Sequence, residues 1–87
     1  LMSVSSILVS WIKSRANGSD PWFFSYNLES EVPMYGKLAH RKLHSASTYS
    51  RGFRKLREGN TLELAGLRLV EFKENDKRVK GWKVEKL

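Results

Sequence analysis

The side chains with the most evident chemical potential in this 87-residue sequence are the basic ones. Residues 41–87 carry thirteen Lys and Arg against six Asp and Glu, whereas residues 1–40 carry three of each sign, so the net charge of +7 belongs entirely to the second part. Charge segregated in this way is typical of a surface that binds a polyanion. Nucleic acid is the first partner that it indicates, and an acidic membrane is the second. A basic protein without a polyanionic partner is the alternative.

Side chains that could perform catalysis or bind a metal are poorly placed for those tasks. His40 and His44 have the i, i+4 spacing of zinc-binding pairs, but no third ligand follows nearby in the sequence. The chain has no Cys, which excludes Cys-bound zinc, iron–sulfur clusters and thiol catalysis. Glu29 and Glu31 are two residues apart, so they would point to different sides of a helix. No glycine spacing matches a phosphate-binding loop, and we therefore expect no enzyme, no cofactor and no metal site.

A first helix is predicted over residues 4–15, because apolar residues recur at i, i+3, i+4, i+7 and i+8 from Val4 to Ile12. Ser3 is its predicted N-cap. We expect the apolar stripe to face a protein core rather than a membrane, because the polar face carries Ser instead of Lys and Arg. The stretch 1–13 is also too short for a membrane span and lacks the basic start of an export signal.

A second helix is predicted over residues 35–43. Its expected inward face consists of Tyr35, Leu38, Ala39 and Leu43. A polar break at 44–47 separates it from a third predicted helix.

The third helix is predicted over residues 48–58, with Ser47 or Thr48 as its N-cap and Gly59 in the C′ position after its end. Its expected inward residues are Tyr49, Phe53 and Leu56. Gly52, in the middle of this helix, is expected to permit close packing against the second helix, because a central glycine otherwise costs about 1 kcal/mol relative to Ala.

After Gly66 the apolar period changes from 3.6 to 2. Two alternating stretches flank the polar segment Asn75-Asp76-Lys77, which predicts a β-hairpin across residues 67–86. The aromatic run at 22–26 is predicted to be a short strand or an extended segment that closes the core. Exposed aromatic rings that stack on nucleic-acid bases are the alternative for this run.

Three helices followed by a basic hairpin resemble a winged helix-turn-helix domain over residues 3–87. The most similar stretch, LAHRKLHSASTYSRGFRKLRE (38–58), resembles the paired helices of bacterial and phage-type helix-turn-helix proteins. In this resemblance Ala39 is the small residue at the helix crossing, and Leu43 joins the core shared with the later helix. It implies an α+β fold, a small winged-helix domain in which three helices precede a C-terminal β-hairpin wing. Residues 1–87 would form one such domain, by itself or as a fragment of a larger protein.

Helix-turn-helix domains insert the second helix of the pair into the major groove of DNA. The resemblance therefore implies that bases are read by Ser47, Thr48, Ser50, Arg51, Arg54 and Lys55. Arg51 and Arg54 are the strongest candidates, since a guanidinium can bond to guanine O6 and N7 together. The expected contacts to the DNA backbone come from Arg41, Lys42, Arg57, Lys77, Arg78 and Lys80.

The expected function is double-stranded DNA binding, sequence-specific in kind, as a transcription regulator or as the DNA-targeting module of a larger protein. We expect an intracellular location, in the cytoplasm, nucleoid or nucleus, and no membrane partner. Homodimer formation stays open. Two other functions also stay open: a winged helix that binds an acidic protein, and a binder of RNA or single strands that uses Trp22, Phe23 and Phe24.

Overall fold

The structure, a computed structural model, describes residues 3–73 and 79–87. Helices and strands follow one another in the order α1 (Val4–Ala16), β1 (Trp22–Phe24), α2 (Ser25–Ser30), α3 (Val32–His40), α4 (Ala46–Glu58), α5 (Thr61–Leu64), β2 (Leu67–Lys73) and β3 (Lys80–Lys86). The helices pack on one face of a three-stranded antiparallel sheet, so the predicted α+β class is confirmed. None of the helices in these two ranges has the length and apolar character that crossing a bilayer requires.

The predicted order, three helices and then a hairpin, differs from the structure. The short strand that was one prediction for the run at 22–26 is present as β1, and it adds to the hairpin to give the strand order β1-β3-β2. The described helices number five, because two short segments, α2 and α5, accompany the three longer helices.

The hairpin formed by β2 and β3 confirms the change of period at Gly66. β2 begins at Leu67, immediately after Gly66, which has a φ of 79°. Side chains alternate across the sheet, so Phe23, Trp82 and Val84 point toward the helices and are buried. The predicted turn, Asn75-Asp76-Lys77, lies outside the described residues.

An aromatic cluster joins the sheet to the helices. The ring of Phe23 meets the ring of Trp11 edge to face at 4.9 Å and that of Phe53 at 5.7 Å. The ring of Trp82 meets that of Phe53 at 4.9 Å. Because Phe23 is fully buried, its predicted alternative role in base stacking is wrong, and the core interpretation of the aromatic run holds for this residue.

The first helix follows its prediction closely. Ser3 caps α1 by accepting a hydrogen bond from the backbone N–H of Ser6 at 3.1 Å. Its expected apolar stripe is buried at Ile7, Leu8, Trp11 and Ile12.

The second predicted helix differs in both its bounds and its buried face. α3 begins at Val32 and ends at His40, and it buries Val32 and Gly36. Leu38 and Leu43 are 73% and 80% exposed, so their predicted inward positions are wrong. Ala39 is exposed as well, so it is not the small residue at the helix crossing.

Gly36 occupies the crossing position instead. The hydroxyl of Tyr49 lies where a Cβ on Gly36 would stand, so only a glycine leaves room for this buried tyrosine. α3 then stops early because Arg41 has left-handed backbone angles, with φ 54° and ψ 36°. The orientation of α3 that places Gly36 against Tyr49 turns the side chain of Leu38 toward solvent.

The third predicted helix is present as α4, and Tyr49, Phe53 and Leu56 are buried as expected. It begins two residues earlier than predicted, because Ser45 rather than Ser47 or Thr48 is the N-cap. Gly59 is its C-cap with φ −103°, which any residue can adopt, so the predicted C′ role is wrong. Gly52 packs against α1 and not against the second helix, since an added Cβ would lie 2.7 Å from Cγ1 of Val4.

Candidate nucleic-acid interface

The outer face of α4 carries three of the six predicted base-reading residues. Because Tyr49, Phe53 and Leu56 face the core, a rotation of about 100° per residue turns positions 47, 51 and 54 toward solvent. Ser47, Arg51 and Arg54 are all exposed. They therefore form a stripe at i, i+4 and i+7 along the helix.

Thr48 and Lys55 flank this stripe on the side of α1. Together with Arg51 they line a surface groove between α1 and α4, which Ser3 and Ser5 complete from the start of α1. Prediction from the sequence missed these two serines, because they lie more than 40 residues before α4 and only the packing of α1 against α4 brings them there. Hydroxyl and cationic groups in one groove are donors suited to phosphate oxygens.

The N-terminus of α4 carries a cluster of three hydroxyl groups. Ser45 Oγ accepts a hydrogen bond from the backbone N–H of Thr48 at 3.2 Å. It also lies 3.0 Å from Ser47 Oγ and 2.9 Å from Thr48 Oγ1. The prediction placed Ser47 and Thr48 at this site and missed Ser45. Ser45 directly precedes the first residue of α4, and serine is a preferred N-cap residue, so this position is the signal that could have identified the cap.

The cations of the outer face are not neutralised by carboxylates of the described chain. Within residues 3–73 and 79–87, the ion pairs are Arg15 with Glu31 and Arg68 with Glu85. Arg51, Arg54 and Lys55 belong to neither pair and are exposed, so their charges are available to a ligand.

Arg57 differs from the other cations of α4. Its guanidinium carbon lies 5.0 Å from the ring centre of Phe53 and 5.1 Å from that of Trp82. Such cation–π contacts hold the side chain against the edge of the core, between α4 and β3. Arg57 was predicted to contact a DNA backbone, and the structure gives it this second role between helix and sheet.

The remaining residues predicted to touch a DNA backbone lie apart from the stripe. Arg41 is exposed at the left-handed end of α3, and Lys42 is half-buried, with its N–H donating to the carbonyl of Gly36 at 3.0 Å. Lys80 is exposed at the start of β3 and is opposite Lys73, a cation that the prediction omitted. Lys77 and Arg78 lie outside the described residues.

The histidine pair does not assemble a metal site in the part of the chain that the structure describes. His40 ends α3 and its ring meets that of Tyr35, whereas His44 lies in the connection and meets the ring of Tyr49. No group of three or more His, Cys, Asp or Glu with metal-binding geometry occurs among these residues.

Among the described residues, two buried side-chain polar atoms lack a hydrogen-bond partner, Nε2 of His40 and the hydroxyl of Tyr49, and Tyr49 is the more deeply buried residue. This side chain has no solvent exposure, and its hydroxyl has no hydrogen-bond partner among the described residues. Desolvation raises the pKa of the Tyr49 phenol above its ordinary value of 10.0. The group is therefore part of the α3–α4 packing, with no ionic role near neutral pH.

Comparisons with protein-family models, with curated proteins and with solved structures found no match to this chain. The functional argument therefore rests on the geometry and charge of the surfaces described above.

Proposed function

We propose that this protein binds double-stranded DNA, with α4 in the major groove. In this proposal α3 and α4 are the two helices of a helix-turn-helix pair, joined by residues 41–45. The β2–β3 hairpin acts as a wing that contacts the DNA backbone or the minor groove, so the domain is a winged helix.

The observation that carries the proposal is the outer stripe of α4. Arg51 and Arg54 are exposed and lack carboxylate partners in the described chain, on a helix whose other face is buried in the core. A rigid helix that displays free guanidinium groups suits the width of the major groove, which admits one α-helix. A protein surface without an anionic partner gains nothing in stability from such a concentration of like charge.

Division of labour within the proposed interface follows from side-chain chemistry. Arg51 and Arg54 have the planar fork that bonds to guanine, so they are proposed to read bases. The hydroxyl cluster at Ser45, Ser47 and Thr48 lies at a helix N-terminus, where backbone N–H groups and the helix dipole favour a phosphate. Lys80 is a point charge at the start of β3, suited to the backbone.

The dependence of binding on salt tests whether DNA is the partner. If six to eight cations of α4 and the hairpin meet phosphates, a plot of log affinity against log salt concentration has a slope of roughly −5 to −7. The measurement is a titration of a labelled random-sequence duplex at several salt concentrations. A slope shallower than about −2 removes duplex DNA as the main partner.

Single substitutions then test which residues read bases. With a duplex obtained by selection from random sequences, Arg51→Ala or Arg54→Ala should cost ~1–3 kcal/mol of binding, and less on a random duplex. Lys80→Ala should weaken both duplexes alike and flatten the salt slope by about one unit. Lys13→Ala is the matched control, because Lys13 is an exposed cation on α1 outside the proposed interface. If Lys80 controls sequence preference and the two arginines do not, the hairpin is the reading element.

A second candidate function, binding to a protein, is favoured by the exposed apolar side chains of α3 and the following connection. Met34, Leu38 and Leu43 are 54%, 73% and 80% exposed. Light scattering after size-exclusion chromatography tests for a homodimer at this surface. A dimer that Leu38→Glu converts to a monomer would support this function, and a monomer at all concentrations would remove self-association from it.

A further inference from the structure

The face of the sheet that points away from the helices has an organised set of side chains. The strand register places Trp22, Lys83 and Val70 side by side in one row across β1, β3 and β2. Residues that are directly opposite in an antiparallel sheet share a face, so all three point to the side opposite Phe23 and Trp82. We call this row, together with the next row and Tyr26, the aromatic face.

The next row of the aromatic face consists of Phe24, Gly81 and Phe72. A Cβ on Gly81 would collide with the ring of Phe72, so the glycine allows that ring to lie over the backbone of β3. The rings of Phe24 and Phe72 meet at 5.6 Å above it.

Trp22 and Tyr26 extend this row into a continuous set of rings. The ring of Phe24 lies 5.5 Å from that of Trp22, and it stacks on that of Tyr26 at 5.3 Å with an interplanar angle of 13°. Trp22 is 40% exposed and Tyr26 is 56% exposed. Two large aromatic side chains are thus supported from below by Phe24 and open to solvent above.

The charge on this face is positive. Lys83 is exposed between Trp22 and Val70. On the described residues of the three strands, the acidic side chain that shares this face is Glu85, and Arg68 binds its carboxylate at 2.6 Å. Within the part of the chain that the structure describes, Lys83 is therefore a cation without a carboxylate partner, in the middle of an aromatic surface.

We propose that the aromatic face binds single-stranded nucleic acid, with bases stacked on Trp22 and Tyr26 and a phosphate held by Lys83. Aromatic rings bind bases of any sequence through their faces, and cations beside the rings track the phosphates. A row of this size accommodates about two or three bases, as aromatic sheet surfaces in RNA-binding domains do. From the sequence, no basic residue is interleaved with the aromatic run at 22–26; Lys83, brought there by β3, supplies it.

The chemistry of the face favours a single strand over two other ligands. Bases in a duplex are already stacked on one another, so they cannot stack on Trp22 or Tyr26. An apolar protein surface would have to desolvate Lys83 without neutralising it, which is costly. A single strand provides unstacked bases and a phosphate at every nucleotide.

This site is separate from α4 and goes beyond the proposed duplex binding. It shares the β2–β3 hairpin with the proposed wing, but Lys80 lies on the opposite face of β3 from Lys83. α4 packs against the inner face of the sheet, where Phe53 meets Trp82, so the aromatic face lies on the far side of the sheet from α4. The two interfaces can therefore be tested independently.

Tryptophan fluorescence tests the proposal directly on the full chain. Trp11 and Trp82 are 6% and 4% exposed, so quenching by a ligand on the surface reports Trp22. The probes are oligonucleotides of about twelve nucleotides, oligo(dT) and oligo(U) as the two single-stranded sources, and a blunt duplex of equal length. We expect quenching by a single-stranded probe, with the difference between the two probes showing which sugar is preferred.

Variants then assign the binding to the aromatic face, with affinity measured by the anisotropy of a labelled strand. Trp22→Ala should weaken single-strand binding about tenfold or more, since one base loses its stacking partner. Lys83→Ala should weaken it and reduce the salt slope by about 0.7. Lys37→Ala is the matched control for Lys83→Ala, because Lys37 is an exposed cation on α3, and it should leave the affinity unchanged.

Four results would overturn the proposal. These are an absence of single-strand binding by the unmodified chain, single-strand binding that Trp22→Ala and Lys83→Ala leave intact, single-strand binding that is lost with Arg51→Ala instead, and a dimer that forms through Trp22 in place of oligonucleotide binding. If Trp22→Ala fails to fold, Lys83→Ala and Trp22→Phe still test the proposal. Trp22→Phe should retain most of the affinity because it keeps an aromatic ring, whereas Lys83→Ala should weaken binding. If Arg51→Ala abolishes duplex binding but keeps single-strand binding, the aromatic face is supported as a separate site. If the unmodified chain binds single strands but no duplex, the duplex proposal fails and this one is supported.

Discussion

Helices α3 and α4 follow one another in the chain, yet they use their apolar residues in opposite ways. In α4, the side chains of Tyr49, Phe53 and Leu56 are buried, and the charged residues face solvent. In α3, Leu38 is 73% exposed while Gly36 is buried. The large apolar residue points outward and the residue without a side chain points inward.

The difference shows when apolar spacing identifies a buried face. α4 has apolar residues on one side and cations on the other, so only one orientation hides the apolar side. α3 has apolar residues on several sides, among them Val32, Met34 and Leu38, so its spacing permits more than one orientation. Its partner decides: the ring of Tyr49 needs space that only Gly36 leaves.

The largest expected effect is a loss of stability on truncating a buried apolar residue of α4, compared with truncation of an exposed one in the connection between α3 and α4. Phe53→Ala should lower the free energy of unfolding by ~3–5 kcal/mol, because Phe53 contacts the rings of Phe23 and Trp82 in the core. Leu43→Ala, at a residue 80% exposed, should change it by no more than about 0.5 kcal/mol. Denaturant unfolding measures both changes. A loss of stability for Leu43→Ala as large as that for Phe53→Ala would show that Leu43 packs in the core.

Gly36→Ala should have the next largest effect. The added methyl group collides with the buried hydroxyl of Tyr49, and overpacking of this kind costs about 1–3 kcal/mol. The higher helix propensity of Ala offsets about 1 kcal/mol of that cost. Chemical unfolding should therefore show a net loss of stability, and a net gain would mean that Gly36 is not a packing residue.

A double-mutant cycle isolates the cause of that loss. In a Tyr49→Phe background the colliding oxygen is absent, and the nearest ring carbon is 3.3 Å from the added Cβ. Gly36→Ala should then cost less stability than in the unmodified chain, with a coupling energy of about 1–2 kcal/mol between the two positions. Additive effects would contradict the contact between Gly36 and Tyr49.

Arg41→Gly should raise stability by about 1 kcal/mol. Arg41 has φ 54°, and left-handed backbone angles cost an L-residue roughly 1–2 kcal/mol that glycine does not incur. Thermal unfolding measures the gain, and Arg41→Ala serves as the control because it removes the charge but keeps the strained backbone. Both variants should bind duplex DNA more weakly if Arg41 contacts its backbone, so stability and affinity should move in opposite directions for Arg41→Gly alone.

Tyr49→Phe should have the smallest effect near neutral pH. The buried hydroxyl has no partner in the described chain, so its removal should leave the free energy of unfolding unchanged or raise it by up to about 1 kcal/mol. A loss of more than about 1 kcal/mol would show that the hydroxyl is hydrogen-bonded in solution.

Alkaline unfolding gives the same substitution a second outcome. Burial raises the pKa of Tyr49 above 10.0 in the folded state. As pH rises past 10.0, the unfolded chain therefore releases this proton more readily than the folded chain, and stability falls. Tyr49→Phe should remove this part of the alkaline loss, whereas Tyr26→Phe, at a residue 56% exposed, should retain it.

Features that depend on near neighbours in the chain could be predicted from the sequence alone. The apolar period and Ser3 cap of α1, the buried face of α4, and the hairpin beginning after Gly66 are of this kind. Segregation of charge into residues 41–87 is likewise a property of the sequence, and so is the basic outer side of α4 that follows from it.

Features that depend on distant partners were decided only by the tertiary structure. Gly36 replaced Ala39 at the helix crossing because the ring of Tyr49 lies there. β1 joined the hairpin as an edge strand because it pairs with β3. That pairing placed Lys83 beside Trp22, although the two residues are 61 positions apart in the chain. The physical reason is that side-chain period and capping act within a few residues, whereas steric fit and strand register join groups whose separation along the chain leaves no periodic trace.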